Sequence, residues 1–175
     1  MTDLTRRQLI AGTAAAGAAI ATAPTIAQTA AAPNLSGKSI LITGTSSGFG
    51  NLAALLFARS GARVIATMRN LPRPEGEGLA QAARNEKLDL HVVELDVTKD
   101  DEVTRAIREA ERIAGGGLDV LVNNPGIGLS GPVEFQDMAA TNLMFDTNLF
   151  GPQRTARAAL PGMRAKRGGL IVNVS

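Results

Sequence analysis

From residue 33 onward, short apolar runs and longer amphipathic stretches take turns along the chain. The runs "KSILIT" (38–43), "ARVIATM" (62–68), "LDLHVVELDV" (88–97), "LDVLVNN" (118–124) and "GLIVNV" (169–174) are apolar with little interruption and predict strands. Between them, "NLAALLFARSG" (51–61), "LAQAARNEK" (79–87) and "KDDEVTRAIREAERIA" (99–114) carry apolar residues at helical spacing. Asp137 to Met163 predicts a longer helix, with bends at Gly151-Pro152 and at Pro161. Gly61 after Ser60 stops the first helix, and Pro72 to Gly78 predicts a loop. Strands without clean polar alternation are buried on both faces. Strand and helix in turn therefore predict an α/β fold: a doubly wound parallel sheet with helices on both faces.

Composition narrows the function classes. The chain has 175 residues, 45% of them hydrophobic, which suits a single domain. It has no cysteine, tyrosine or tryptophan and a single histidine, His91, so a disulfide framework, a thiolate metal site and a histidine cluster are excluded. His91 sits in a strand-like run and reads as structural. The formal charge is +2 and the pI near 9.5, but the basic residues form no stripe and no aromatic platform accompanies them, so nucleic acid is not an expected partner. Acidic residues at 100–102 suit the start of a solvated helix.

Residues 1–32 differ in kind. "MTDLTRRQLIAGTAAAGAAIATAPTIAQTAAA" has a polar start, paired Arg6 and Arg7, an Ala/Gly/Thr-rich apolar middle and small residues at its end. The paired arginines before the apolar run resemble a bacterial twin-arginine export signal. Ala27 and Ala30 suit a cleavage region, and a cut near Ala32 leaves residues 33–175, near neutral in charge and without a stable membrane span. The expected location is periplasmic or secreted; a plain tail or an uncleaved anchor is the alternative, with a cytoplasmic location if the leader does not function.

"LITGTSSGFG" (41–50) places three glycines directly after a strand and before a helix. That context suits a phosphate-bearing ligand, because glycines let it approach the backbone and a helix N-terminus offers N–H groups and partial positive charge. "TGTSSGFG" resembles the Thr-Gly-x-x-x-Gly-x-Gly signature of the short-chain dehydrogenases/reductases, and other matches follow in that family's order: "ELDVT", "NNPG", "FDTNLFG" and "GGLIVNVS". The resemblance covers essentially residues 37–175 and implies a Rossmann-type sheet, C-terminally truncated, that holds a nicotinamide dinucleotide. It implies cofactor contacts from Gly44, Thr45, Ser46, Ser47, Gly48, Phe49 and Gly50, from Asp96 and Val97 at the adenine, and from Asn124 and Gly126. Asn148 matches the family's catalytic asparagine, which supports a water in the proton relay. Asn123 reads equally as a sheet fastener and as a ligand contact. Pro125 stands where the family usually has alanine and lacks the N–H beside the cofactor.

The second strand runs into Met68-Arg69-Asn70 with no carboxylate for a ribose 2′-hydroxyl, while Arg69 suits a 2′-phosphate. NADP is therefore expected over NAD. The family's proton donor is a tyrosine, followed four residues later by a lysine and assisted by a serine. This chain has no tyrosine, and Ser175 matches the neighbour of that serine. The resemblance thus implies interconversion of small alcohols and carbonyls by a usually homo-oligomeric enzyme, and expects this chain by itself to be inactive. A non-catalytic NADP-binding module and a non-functional truncated product are the alternatives. The fifth strand is expected at an edge, and the long helix without a packing partner.

Residues 1–35 fused to a reporter are expected to carry it to the periplasm, and replacing both Arg6 and Arg7 by lysine to stop that transport. Periplasmic reporter unchanged by the double substitution would remove the twin-arginine reading.

Overall fold

The computed structural model describes residues 33–174; the leader expected over 1–32, and Ser175, lie outside them. The elements are β1 (Ser39–Ile42), α1 (Gly48–Arg59), β2 (Arg63–Met68), α2 (Pro74–Glu86), β3 (Leu90–Glu94), α3 (Asp100–Ala114), β4 (Val120–Asn123), α4 (Met138–Phe145), α5 (Gly151–Ala165) and β5 (Leu170–Asn173). One sheet orders the strands β3-β2-β1-β4-β5, and every pairing is parallel. The strand order turns back between β1 and β4, the point at which sheets of this kind open a crevice at their carboxyl ends.

Alternation along each strand divides the core into two layers. Ile40 and Ile42 of β1 and Val64 and Ala66 of β2 face Ala54 and Ala58 of α1 and Leu79 and Ala83 of α2. Leu41, Ile65 and Leu121 face the other way, against Val103, Ala106 and Ile107 of α3 and Ala159 and Met163 of α5. Both faces are thus buried, which is why the strands lack polar alternation.

Two local expectations change. The Pro72–Gly78 stretch is not all loop, because α2 begins at Pro74. Proline is tolerated in a first helical turn, where its missing N–H has no partner to lose, and Glu75 and Glu77 complement the positive end. Gly76 lets that turn close onto Leu71, Met68 and Val92. The long helix is also irregular in a different way from a proline bend. Asp137 caps it, accepting from the Ala139 N–H at 3.1 Å, and a π turn over Asp146–Phe150 separates α4 from α5. Pro152 then falls in the first turn of α5, while Pro161 lies inside it. As expected, β5 lies at the sheet edge, with Leu170, Val172 and Val174 exposed, and Phe135, Met138, Leu143 and Phe145 on and before α4 are exposed too.

At the amino ends of the strands, Asp119 joins three elements. Its Oδ2 accepts from the Ser39 N–H at 2.8 Å and the Ser39 hydroxyl at 2.9 Å, and its Oδ1 accepts from Lys166 Nζ at 2.6 Å. Burial works to raise the pKa of this carboxyl, but the bonds from Lys166 and Ser39 outweigh it and lower the value from 3.8 to about 2. A carboxyl with a depressed folded-state pKa stabilises the fold above its unfolded value, and that stabilisation is lost as pH falls from near 4 through 2. Asp119→Asn is expected to cost about 2 kcal/mol at pH 7 and little at pH 2 and below, measured by urea unfolding across that range. An equal cost at both pH values would show that charge is not the cause.

Candidate functional site

The turn after β1 is fastened on both sides before it reaches any ligand. Thr43 N–H donates to the Val122 carbonyl at 2.9 Å, and the Thr43 hydroxyl accepts from the Asn124 N–H at 2.9 Å. On the other side Thr45 donates to the Thr67 carbonyl from both its N–H (3.0 Å) and its hydroxyl (3.1 Å). Thr45 is fully buried, so its side chain serves the turn. The glycines have different tasks. Gly44 has φ +68, and a side chain there would run into the Asn124 carbonyl; one on Gly50 would run into the Gly44 carbonyl. Gly48, with φ +57, opens α1 in the left-handed region, where there is open space around it.

Helix α1 presents an uncompensated positive end. Ser47 occupies its N-cap without a side-chain capping bond, and no acidic residue stands in the first turn. Phe49 is 80% exposed and lines neither of the cavities described next.

A trough with two lobes runs past this helix end along the carboxyl ends of β1, β2 and β4. Gly44, Ser46, Pro125 and Gly126 belong to both lobes. The narrower lobe, about 120 Å³, has Met68, Leu95 and Val97 as apolar walls and Arg69, Asp96 and Thr147 as polar lining. The wider, about 560 Å³, adds Ser47, Asn124, Asn148 and Val174. A third basin, about 440 Å³, lies at the opposite end of the sheet among Arg63, Asp89, Asp119 and Lys166. Four of its charges pair with one another, Arg63 with Asp89 and Lys166 with Asp119. Ligands of open parallel sheets sit at the carboxyl ends, which favours the trough.

Asp96 is held by its own loop. Its Oδ1 accepts from the Thr98 N–H at 3.0 Å and the Thr98 hydroxyl at 2.7 Å. Burial acts to raise its pKa, but these bonds and the charges of Lys99 and Arg69 more than offset it, so the carboxyl titrates below its ordinary range and is ionised at neutral pH. Arg69 follows the last residue of β2, is exposed, and has no ion pair among the described residues. The neighbouring acids are engaged elsewhere: Glu75 with Arg73, and Glu94 with the Leu71 N–H and Arg105.

The two adjacent asparagines part company. Asn123 is 1% exposed; its Nδ2 donates to Asn173 Oδ1 at 3.0 Å and its Oδ1 accepts from the Thr155 hydroxyl at 2.6 Å. It fastens β4 to β5 and α5, which settles its two readings in favour of the sheet. Asn124 lines the wide lobe, and its Nδ2 donates to the Gly44 carbonyl at 3.2 Å. Nothing lies within 4 Å of where a Gly126 side chain would start, so its backbone stands open to the trough.

Asn148 sits in the π turn and clasps one residue twice. Its Oδ1 accepts from the Ile127 N–H at 3.0 Å, and its Nδ2 donates to the Ile127 carbonyl at 2.9 Å. Both ends of the amide are therefore in use.

Sequence reasoning did not single out Met68, Leu95, Ile127, Thr147 or Arg154. The last ties the site loops together: Arg154 pairs with Asp146 at 2.7 Å and Asp100 at 3.1 Å, and donates to the Val97 carbonyl at 3.4 Å. Position six residues after Asn148 was its only signal. His91 lies away from the trough, exposed on β3 with Nε2 at 2.9 Å from Asp89.

The donor set fits a dinucleotide. A helix end free of acid suits phosphates, an apolar slot edged by a carboxylate suits a base, and a free guanidinium suits a further phosphate. Among the described residues no group of three or more His, Asp or Glu could hold a metal ion, and no helix is long and apolar enough to cross a membrane.

Comparison with known proteins agrees with this geometry. The family model of short chain dehydrogenases matches residues 38–175. Retinol dehydrogenase 8 of Bos taurus is 43% identical over 143 residues, which cover 79% of this chain and 44% of that protein. Retinol dehydrogenase 8 of Homo sapiens is 42% identical over 155 residues, covering 83% and 45%. The chain thus spans less than half the length of these relatives. The crystal structure of a gluconate 5-dehydrogenase from Burkholderia cenocepacia in complex with NADP and tartrate superposes with a TM-score of 0.71 at 31% identity, over 80% of this chain and 54% of that one. A matching family model over most of the chain, a parallel sheet of the same fold and a dinucleotide-shaped trough at its switch point lead to one assignment: the chain belongs to the short-chain dehydrogenase family.

Proposed function

We propose that the trough binds NADP in preference to NAD and serves the interconversion of an alcohol and a carbonyl compound. The observation that carries this reading is Arg69, a guanidinium without an ion pair among the described residues, at the mouth of a lobe where β2 ends without a carboxylate. A bound dinucleotide supplies or accepts the hydride. The chain's own residues hold it: the α1 end with Ser46 and Ser47 at the phosphates, and Asp96 with Val97 at the base. Asn148 contributes differently. Its amide clasps the Ile127 backbone and so fixes the 125–127 loop that lines the trough. The retinol dehydrogenases and the NADP-bound gluconate 5-dehydrogenase support the alcohol/carbonyl class and a nicotinamide cofactor. Export of the protein through the leader at 1–32 belongs to the same proposal.

A second reading is favoured by composition. The 175 residues include no tyrosine, so they offer no phenol to give or take the proton. On this reading the chain by itself binds NADP without turning it over.

Arg69→Ala is expected to weaken NADP binding by roughly ten- to a hundred-fold, the loss of a charged hydrogen-bonded partner, and to leave NAD nearly unchanged. Calorimetry with both dinucleotides checks this, and an equal loss for the two removes the phosphate role. The 175-residue chain is expected to show no NADPH oxidation above a nucleotide-only control with a panel of aldehydes and ketones, because positioned acid–base catalysis ordinarily supplies about 10²–10⁴-fold. Turnover that disappears in Asn148→Ala would reveal a proton donor other than a phenol.

A further inference from the structure

The narrow lobe contains one polar group that the cofactor reading leaves unused. Thr147, in the π turn just before Asn148, is 7% exposed and lines this lobe with Arg69, Asp96 and Val97. Its hydroxyl is buried and has no hydrogen-bond partner. The other buried threonines are all bonded: Thr43 to Asn124, Thr45 to Thr67, Thr67 to the Ile42 carbonyl, and Thr155 to Asn123. Helical threonines usually return their hydroxyl to a carbonyl one turn back. Thr104 does so with Asp100 at 2.8 Å and Thr141 with Asp137 at 3.2 Å. Thr147 forgoes that bond, although an unmade buried hydrogen bond ordinarily costs as much as a made one contributes, or more.

We propose that the Thr147 hydroxyl is a base-binding group, whose partner is a nitrogen of the purine held in the narrow lobe. This rests on the dinucleotide reading of the trough. The lobe suits a purine: Met68, Leu95 and Val97 offer apolar contact to a flat ring, while Asp96 and Thr147 supply polar groups at its edge. A hydroxyl both donates and accepts, so it meets either a ring nitrogen or an exocyclic amine. One staggered step about χ1 carries the hydroxyl to the place of the methyl, and the methyl to that of the hydrogen. The free chain therefore carries an unpaired hydroxyl that the ligand repairs.

Binding and stability should then respond to Thr147→Val in opposite directions. Valine keeps the shape and removes only the hydroxyl. The full chain and its Thr147→Val and Thr147→Ser variants are titrated calorimetrically with NADPH and with adenosine 2′,5′-bisphosphate, and each is melted without ligand. Thr147→Val is expected to weaken both ligands by roughly three- to ten-fold, with a thermal midpoint unchanged or raised; Thr147→Ser, which keeps the hydroxyl, should bind close to wild type. Wild-type affinity in Thr147→Val for both ligands overturns the proposal, as does weakened binding accompanied by a lowered midpoint, which marks a structural lesion. A wild-type chain that binds neither ligand overturns the dinucleotide reading and this assignment with it.

Discussion

The close approach of Gly44 to the Asn124 carbonyl holds β1 and β4 together where both leave the sheet. Parallel strands that separate beyond their ladder open a crevice, and here its floor is set by how near two backbones come. A side chain on Gly44 would push the β4 loop away, and with it Pro125, Gly126 and Ile127, which line the trough. Asn124 then bonds back to Thr43 and Gly44, so the approach is fixed from both strands. The position of Asn148 follows, because its amide is clasped to Ile127 on that same loop.

A second consequence concerns how much of the site is scaffold. Thr43, Thr45, Asn123 and Gly50 lie within the motifs that mark the family, yet their contacts are with the chain itself. Groups left open toward the trough are Ser46, Ser47, Arg69, the unused oxygen of Asp96, and the backbone of Gly126. A motif of this kind encodes the shape of the turn as well as the ligand contacts, and buried hydrogen bonds separate the two kinds of residue.

The layered fold was legible because burial on both faces leaves a direct trace, a strand without polar alternation. Strand positions follow the runs that predicted them, shortened at the ends, as where the 88–97 run yields a strand over Leu90–Glu94. The start of α2 was hidden because Pro74 and Gly76 read as loop residues in isolation; their tolerance depends on the first-turn position and on the packing of Gly76. Local motifs carried the glycine turn, Arg69, Asp96 and Asn148 into the sequence reading. Thr147 and Arg154 were illegible because their meaning arises from contacts across the fold: one has a neighbouring cavity and no bond, and the other reaches Val97 from 57 residues away.

Asp119 and the trough stand at opposite ends of the same strands. Ser39, to which Asp119 bonds, and Gly44, at the trough, are separated by roughly 15 Å of extended chain. Perturbations that far apart, with no shared partner, are close to additive. In evolutionary terms the molecule has two nearly independent territories. Sequence drift at the strand starts alters how firmly the fold is held and leaves ligand preference alone, while drift at open trough positions such as Arg69 retunes ligand preference with little effect on stability.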